Sequence, residues 1–448
     1  MSTALPPIAS KRSANRLLPW MQSYLNKKCS ADEAVRAIRS NSCVYIHAGC
    51  AVPEQLVQAM VRRAPEVENV KVIHLLTRGS ADYVRPEMAG RFRHVAFFAG
   101  ANVREAINEG RADFMPVFLG EVEALFSSGA IPIDVALIHV SPPDEHGFCS
   151  FGVGVDITKT AAECARCVIA QINPKMPRSL GDSFIHINKI SHVVEVSDEL
   201  LEHPMGETSE VARLIGRNIA ELIEDGSTLQ LGIGEIPDAV LSFLADKKNI
   251  GIHTEMVSDG IIDLIEKGII TNEKKNIHPG KIILGFVLGT RRLYDFIDNN
   301  PIFEFHPSQY TNDPFIISSN DRMVAINSAL EVDLTGQVCA DSLGYSYYSG
   351  IGGQVDFIRG SARSRWGKPI IALPSTAKEG AISRIVSHLQ EGAGVVTSRG
   401  DVHYVITEYG VAYLHGKTIR ERCQALIRIA HPKFWDELEE SARERKLL

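Results

Sequence analysis

The chain reads as an α/β protein of two similar halves, each a mostly parallel sheet with helices on its faces. Three observations predict this. Strand-like and helix-like segments alternate in regular succession. At 448 residues the chain exceeds one ordinary core, so two domains are expected, 1–204 and 205–448. One segment also recurs. Val44…Val52-Pro53-Glu54 aligns without a gap with Thr228…Ile236-Pro237-Asp238, and Ile73-His74-Leu75-Leu76 later resembles Ile252-His253-Thr254-Glu255. Internal duplication explains the shared order; chance similarity of two α/β units is the alternative. Under duplication, Leu76 stands in the first copy where Glu255 stands in the second. That difference suits one structural half and one chemical half.

The elements follow in order. Ser30 caps a short helix opening at Ala31-Asp32-Glu33. Cys43–Ile46 is a strand, His47–Cys50 a small-residue turn, and Pro53-Glu54 the start of a helix. Val70–Leu76, Val95–Phe98 and Phe114–Val117 read as further extended segments, with a helix over Asn102–Glu109. Ile133–Val140 is a near-continuous apolar run of the buried parallel kind, ending at a Pro-, Asp- and Gly-rich turn. In the second half a helix runs to about Glu224. Thr228–Leu231 is then a strand, Gly232–Ile236 a tight loop and Pro237 a helix start. Met323–Ile326, Pro369–Leu373 and Asp401–Thr407 are later strands, and Ile419–Ala430 is an amphipathic helix.

Composition narrows the function classes. Hydrophobic residues make up 45% and charged residues 23%, a plain globular balance. A net charge of -7 without a long basic tract argues against nucleic acid as a partner. No apolar run approaches the ~18 residues of a membrane span. The N-terminus lacks the apolar core of a secretory signal, so a cytoplasmic protein is expected. Its basic, hydroxyl-rich start leaves an organelle presequence as the alternative. Cys164 and Cys167 have CxxC spacing but no second pair nearby, and their segment reads as core holding buried free thiols. Asp144-Glu145-His146 matches no strong metal pattern, and no metal ligands are assigned.

Two stretches carry candidate chemistry. Asn249–Ile252 leads into His253-Thr254-Glu255-Met256 and the turn Ser258-Asp259-Gly260. That places Glu255 at a strand end, where α/β sheets bind ligands. A loop acid capping the next helix is the plain alternative. Ser349-Gly350-Ile351-Gly352-Gly353-Gln354 has the glycines to aim amides at an oxyanion or phosphate, or simply to make a tight turn. Gly232-Ile233-Gly234 fails the dinucleotide fingerprint because position 237 is Pro, yet still permits close approach of a ligand. Lys378 is a candidate for binding phosphate; a solvated face explains it equally well.

These segments, with Ser141–Gly147, Gly350–Phe357 and Glu408-Tyr409-Gly410, together resemble the acetyl-CoA hydrolase/transferase family of class I CoA-transferases. The likeness is closest to the 4-hydroxybutyrate and butyryl-CoA:acetate enzymes. It implies two similar α/β domains with the active site between them, and a homodimer or larger homo-oligomer. It makes Glu255 the covalent nucleophile, and Gly350, Gly352, Gly353 and Gln354 the loop facing the CoA thioester. Gly352 or Gly353 would donate to the oxyanion, and Asn327 is matched to an asparagine that holds the thioester. Gly232, Gly234 and Lys378 complete the expected CoA-binding set. CoA or acyl-CoA is then a substrate, and no tightly bound cofactor is needed. Ping-pong transfer of CoA between carboxylic acids is expected, with acetate as a partner acid. An acyl-CoA hydrolase using the same glutamate, an itaconate or succinate CoA-transferase, and a catalytically silent CoA-binding regulator are the alternatives.

Overall fold

A computed structural model describes residues 18–448. The expectation of no secretory signal, with an organelle presequence as the alternative, rests mainly on residues 1–17, outside the described residues. The first half carries β1 (Cys43–Ile46), β2 (Val70–His74), β3 (Phe92–Ala96), β4 (Asp113–Phe114), β5 (Val135–Val140), β6 (Cys167–Ile172) and β7 (His192–Glu195). They form one parallel sheet in the order β4-β3-β2-β1-β5-β6-β7. Every residue of β5 is buried, as its unbroken apolar run predicts.

The second half carries β8 (Thr228–Gln230), β9 (Gly251–Ile252), β10 (Ile282–Leu284), β11 (Phe303–Phe305), β12 (Met323–Ser328), β13 (Lys368–Ala372) and β14 (Tyr404–Thr407). β10 pairs with β11 and meets the β9 end through a parallel bridge between His253 and Ile283. The main sheet runs β9-β8-β12-β13-β14 in parallel, and the parallel pair β10-β11 extends it on the β9 side through that single bridge, giving the spatial order β11-β10-β9-β8-β12-β13-β14. Adding seven to each label of the first sheet reproduces the second. Register agrees as well: Tyr45 lies opposite Ile73, and Leu229 opposite Ile252. The alignment is therefore structural, and Leu76 and Glu255 leave equivalent strand ends.

Several expectations are corrected. β3 starts at Phe92, earlier than predicted, because exposed Arg93 and the polar His94 interrupt the apolar run after buried Phe92. The helix after β8 begins at Glu235 rather than Pro237, which fits inside the first turn where its missing N–H has no partner to lose. Gly234 caps that helix at φ +111°, a conformation that favours glycine. The segment after Thr407 is an antiparallel edge strand, β15 (Gly410–Tyr413). The buried-thiol reading of the CxxC pair fails. Cys164 ends a helix and is exposed, while Cys167 opens β6 and is partly buried.

The halves are joined closely. The amide of Ala99 donates to Ser349 O at 3.0 Å, and that of Leu119 to Gly352 O at 3.0 Å. Val155 N donates to Gly285 O at 2.9 Å. These contacts seat the glycine-rich loop of the second half against the strand ends of the first. Among the described residues, no helix is long and apolar enough to cross a membrane.

Candidate active site

Glu255 follows β9 and lines a cleft of about 310 Å³ between the halves. Its neighbours in the His-Thr-Glu-Met segment brace it. His253 is fully buried, and its Nε2 lies 2.9 Å from Thr311 O, so it ties the strand end to the residue before Asn312. Burial pushes the His253 imidazole down to about 3, which keeps it neutral. The Thr254 hydroxyl donates to Leu231 O at 2.9 Å and accepts from Leu231 N at 3.2 Å, locking the ends of β9 and β8 together. The Glu255 carbonyl accepts from Gly285 N at 2.9 Å and Phe286 N at 3.2 Å. With its backbone held on both sides, the side chain has a fixed origin.

The residue is partly exposed, yet its carboxyl is enclosed. Asn312 Nδ2 donates to Glu255 Oε2 over a long 3.3 Å and lies 3.5 Å from Asp356 Oδ2. Asn312 Oδ1 accepts from the Thr311 hydroxyl at 2.8 Å, which fixes the amide orientation. Both amide hydrogens are thus available to the two carboxyl groups. Asp356 Oδ2 also accepts from Gly120 N at 3.0 Å, across the junction between the halves. Burial raises Glu255 to about 7, opposed by the Asn312 hydrogen bond and reinforced by the charge of Asp156. Burial likewise raises Asp356 to about 7 and Asp156 to about 6. A carboxylate so desolvated is a stronger nucleophile than one in water.

The glycine loop closes over this carboxylate. Gly350 packs on Phe98 from the first half, and a Cβ there would collide with it. Gly352 lies at φ +56°. A methyl group on Gly353 would overlap both Glu255 Oε2 and Asn312 Nδ2, so only glycine permits this approach. Gln354 starts the helix Gln354–Arg363. Its Nε2 donates to Ser328 O at 2.7 Å, and its Oε1 accepts from the Thr397 hydroxyl at 2.9 Å.

The Acetyl-CoA hydrolase/transferase N-terminal domain matches residues 10–202, and the C-terminal domain of the same name matches 289–442. The chain belongs to the acetyl-CoA hydrolase/transferase family. Glu255 lies between the two matched stretches, and full-length relatives span it. A 4-hydroxybutyrate coenzyme A transferase of Clostridium kluyveri is 51% identical over 96% of this chain and 100% of its own length. A succinyl-CoA:acetate/propanoyl-CoA:succinate CoA transferase of Fasciola hepatica is 46% identical over 93% of this chain and 87% of its own. The crystal structure of a 4-hydroxybutyrate CoA-transferase from Porphyromonas gingivalis superposes with a TM-score of 0.83 at 44% identity, covering 95% of this chain and all of that one.

In this member of the acetyl-CoA hydrolase/transferase family, the cleft gathers most of the predicted residues. Glu255, Asn327, Gly232, Gly350, Gly352, Gly353 and Gln354 all line it. Gly234 does not, being the helix cap behind Gly232. Lys378 is exposed, in the turn between Thr376–Ala377 and Ile382–Ser383, and is also outside the lining. Asn327 Nδ2 donates to Gln230 Oε1 at 3.0 Å. The asparagine against Glu255 is instead Asn312, which sequence reasoning missed. Its short polar segment has no periodicity and no motif, and it reaches Glu255 only through the fold.

Asn312 donates to the charged form of Glu255, so removing it should raise the glutamate still further above its ordinary value. For Asn312→Ala, the acid limb of the kcat/KM profile is expected to move to higher pH, with a roughly 10- to 100-fold loss of kcat. A pH–rate series checks both the direction and the size.

Proposed function

We propose that the protein transfers CoA between an acyl-CoA and a small monocarboxylic acid, of the 4-hydroxybutyrate or butyrate type, with acetate as partner. The observation that carries this reading is an enclosed carboxylate at a strand end, under a glycine loop where a Cβ on Gly353 would overlap it. Glu255 attacks the thioester carbonyl, the C–S bond breaks and CoA thiolate leaves an acyl-glutamyl anhydride. The thiolate then attacks the glutamyl carbonyl. The C–O bond breaks, the first acid departs as carboxylate and a glutamyl-CoA thioester remains. A second acid reverses these steps. The Gly352 and Gly353 region supplies amides for the oxyanion. CoA is a substrate here, and the chain's own residues perform each step. Gly232, Gly234 and Lys378 remain proposed CoA contacts, and Asn327 a proposed catalytic residue that holds the thioester. A cytoplasmic homodimer completes the reading, its assembly checked by light scattering.

The wall of the cleft supports a monocarboxylic acyl group. Leu75, Leu76, Phe98, Ile233, Met256 and Phe286 line it, and among the described residues no Lys, Arg or His does. The second carboxylate of a succinyl or itaconyl group would enter without a cation to pair it, beside Glu255. Butyryl-CoA is therefore expected to react with kcat/KM at least about 10-fold above succinyl-CoA.

The test uses butyryl-CoA without an acceptor acid, followed by peptide mass spectrometry. A CoA-linked Glu255 peptide is expected, and hydroxylamine should convert it to a hydroxamate. Steady acetyl-CoA formation on adding acetate, with no adduct trapped at any time, would remove Glu255 from the mechanism. Hydrolysis that added acetate does not divert would favour the hydrolase reading.

A further inference from the structure

Away from the cleft lining, three potential metal ligands converge on β11. His278 projects from the segment before β10, Glu304 is the middle residue of β11, and His306 follows it directly. His278 Nδ1 lies 2.8 Å from Glu304 Oε2, and His306 Nε2 lies 3.8 Å from the same oxygen. One ligand atom from each residue falls within 4.8 Å of the others. The side chains are 27%, 26% and 17% exposed, sheltered but reachable from solvent. His306 Nε2 is buried and has no hydrogen-bond partner. His278 holds a left-handed backbone, φ +49°, that is uncommon for any residue but glycine.

We propose that His278, Glu304 and His306 form a binding site for a divalent transition metal of the zinc class. Two imidazoles and one carboxylate suit such an ion, whereas calcium and magnesium take oxygen donors. Zinc bonds of about 2.0–2.2 Å place tetrahedral ligand atoms roughly 3.3–3.5 Å apart, so His278 and Glu304 must open from 2.8 Å while His306 closes from 3.8 Å.

The surroundings fit this role. Tyr310 OH is 2.5 Å from His278 Nε2, so an Nε2–H can donate to it while the metal replaces the hydrogen bond that His278 Nδ1 makes to Glu304 Oε2 at 2.8 Å. The Tyr310 ring also stacks on His306 at 4.5 Å. Lys281 Nζ approaches the other oxygen of Glu304 at 3.9 Å, so Oε2 remains for the ion. Lys275 lies close by, its Nζ donating to Ile252 O at 2.9 Å and Lys281 O at 2.7 Å. Burial brings Lys275 down to about 7, which weakens its opposition to a cation.

The metal would pin the segment before β10 to β11 and to the turn Ser308–Thr311, next to Asn312. Its role is then to steady the residue that faces Glu255, outside the reaction itself.

The test titrates the metal-stripped full chain with zinc by calorimetry and counts bound metal after gel filtration. One equivalent per chain is expected, with a raised melting temperature by linkage. Glu304→Gln and His278→Gln should each lose both effects while keeping the wild-type far-UV spectrum. Cobalt should give a visible ligand-field band in the wild type. No stoichiometric zinc in the wild type, or a full equivalent retained in both variants, overturns the site. If a variant fails to fold, the wild-type cobalt spectrum decides: absence of the band overturns the proposal, and its presence with one equivalent supports it.

Discussion

Glu255→Gln should abolish CoA transfer and, at alkaline pH, make the protein more stable. The expected loss in kcat is on the order of 10⁴-fold or more, because an amide cannot form the anhydride. No CoA-linked peptide should appear at position 255. The stability effect follows from burial. Folded Glu255 titrates at about 7, above its ordinary value of 4.5. Between these values the folded state keeps a proton that the unfolded chain has released. Stability therefore falls as pH rises through this window, and the loss is complete above about pH 7. Glutamine has no such titration. The variant should gain on the order of 1–3 kcal/mol at pH 8 and much less near pH 5. Urea unfolding at the two pH values, alongside the transfer assay, checks both. Retained transfer would refute the nucleophile, and an equal gain at both pH values would refute the linkage.

Gly353→Ala should retain the fold and lose most of the activity. Gly353 has φ -93° and ψ 6°, which alanine can adopt, so the backbone has no reason to resist. The new methyl group instead overlaps Glu255 Oε2 and Asn312 Nδ2. Either the loop lifts from the carboxylate or Asn312 is pushed aside. Both displace the amides proposed to hold the oxyanion, and a fall of about 10²- to 10³-fold in kcat is expected. Formation of the glutamyl adduct should slow to the same degree. Gly350→Ala makes the contrast, because its collision is with Phe98 and should lower the melting temperature. Near-normal turnover in Gly353→Ala would show that the loop does not approach the chemistry.

Much of the frame is visible in residue order because apolar runs and turns report it directly. The β5 run, the turn after β1 and the offset between Val44 and Thr228 all carry through to observed strands, and the repeat even fixes Leu76 against Glu255. What stays hidden depends on contacts between distant segments. Asn312 lies in a polar stretch with no period, and its partners Glu255 and Asp356 come from other elements. Asp356 is visible within the glycine motif, but its bond to Gly120 requires the other half. Cys164 looks like core because its neighbours are small and apolar, yet a helix end turns it outward.

The repeated sheet separates two kinds of change that usually interfere. Leu75, Leu76 and Phe98 shape the crevice from one copy, while Glu255, Asn312 and Gly353 stand on the other. Leu75 and Leu76 can change the space offered to an acyl chain from the first copy, whereas Phe98 also supports the glycine loop and would move it. The two copies therefore meet in one crevice, with Leu76 offering a hydrophobe from the strand end where its counterpart offers the carboxylate of Glu255.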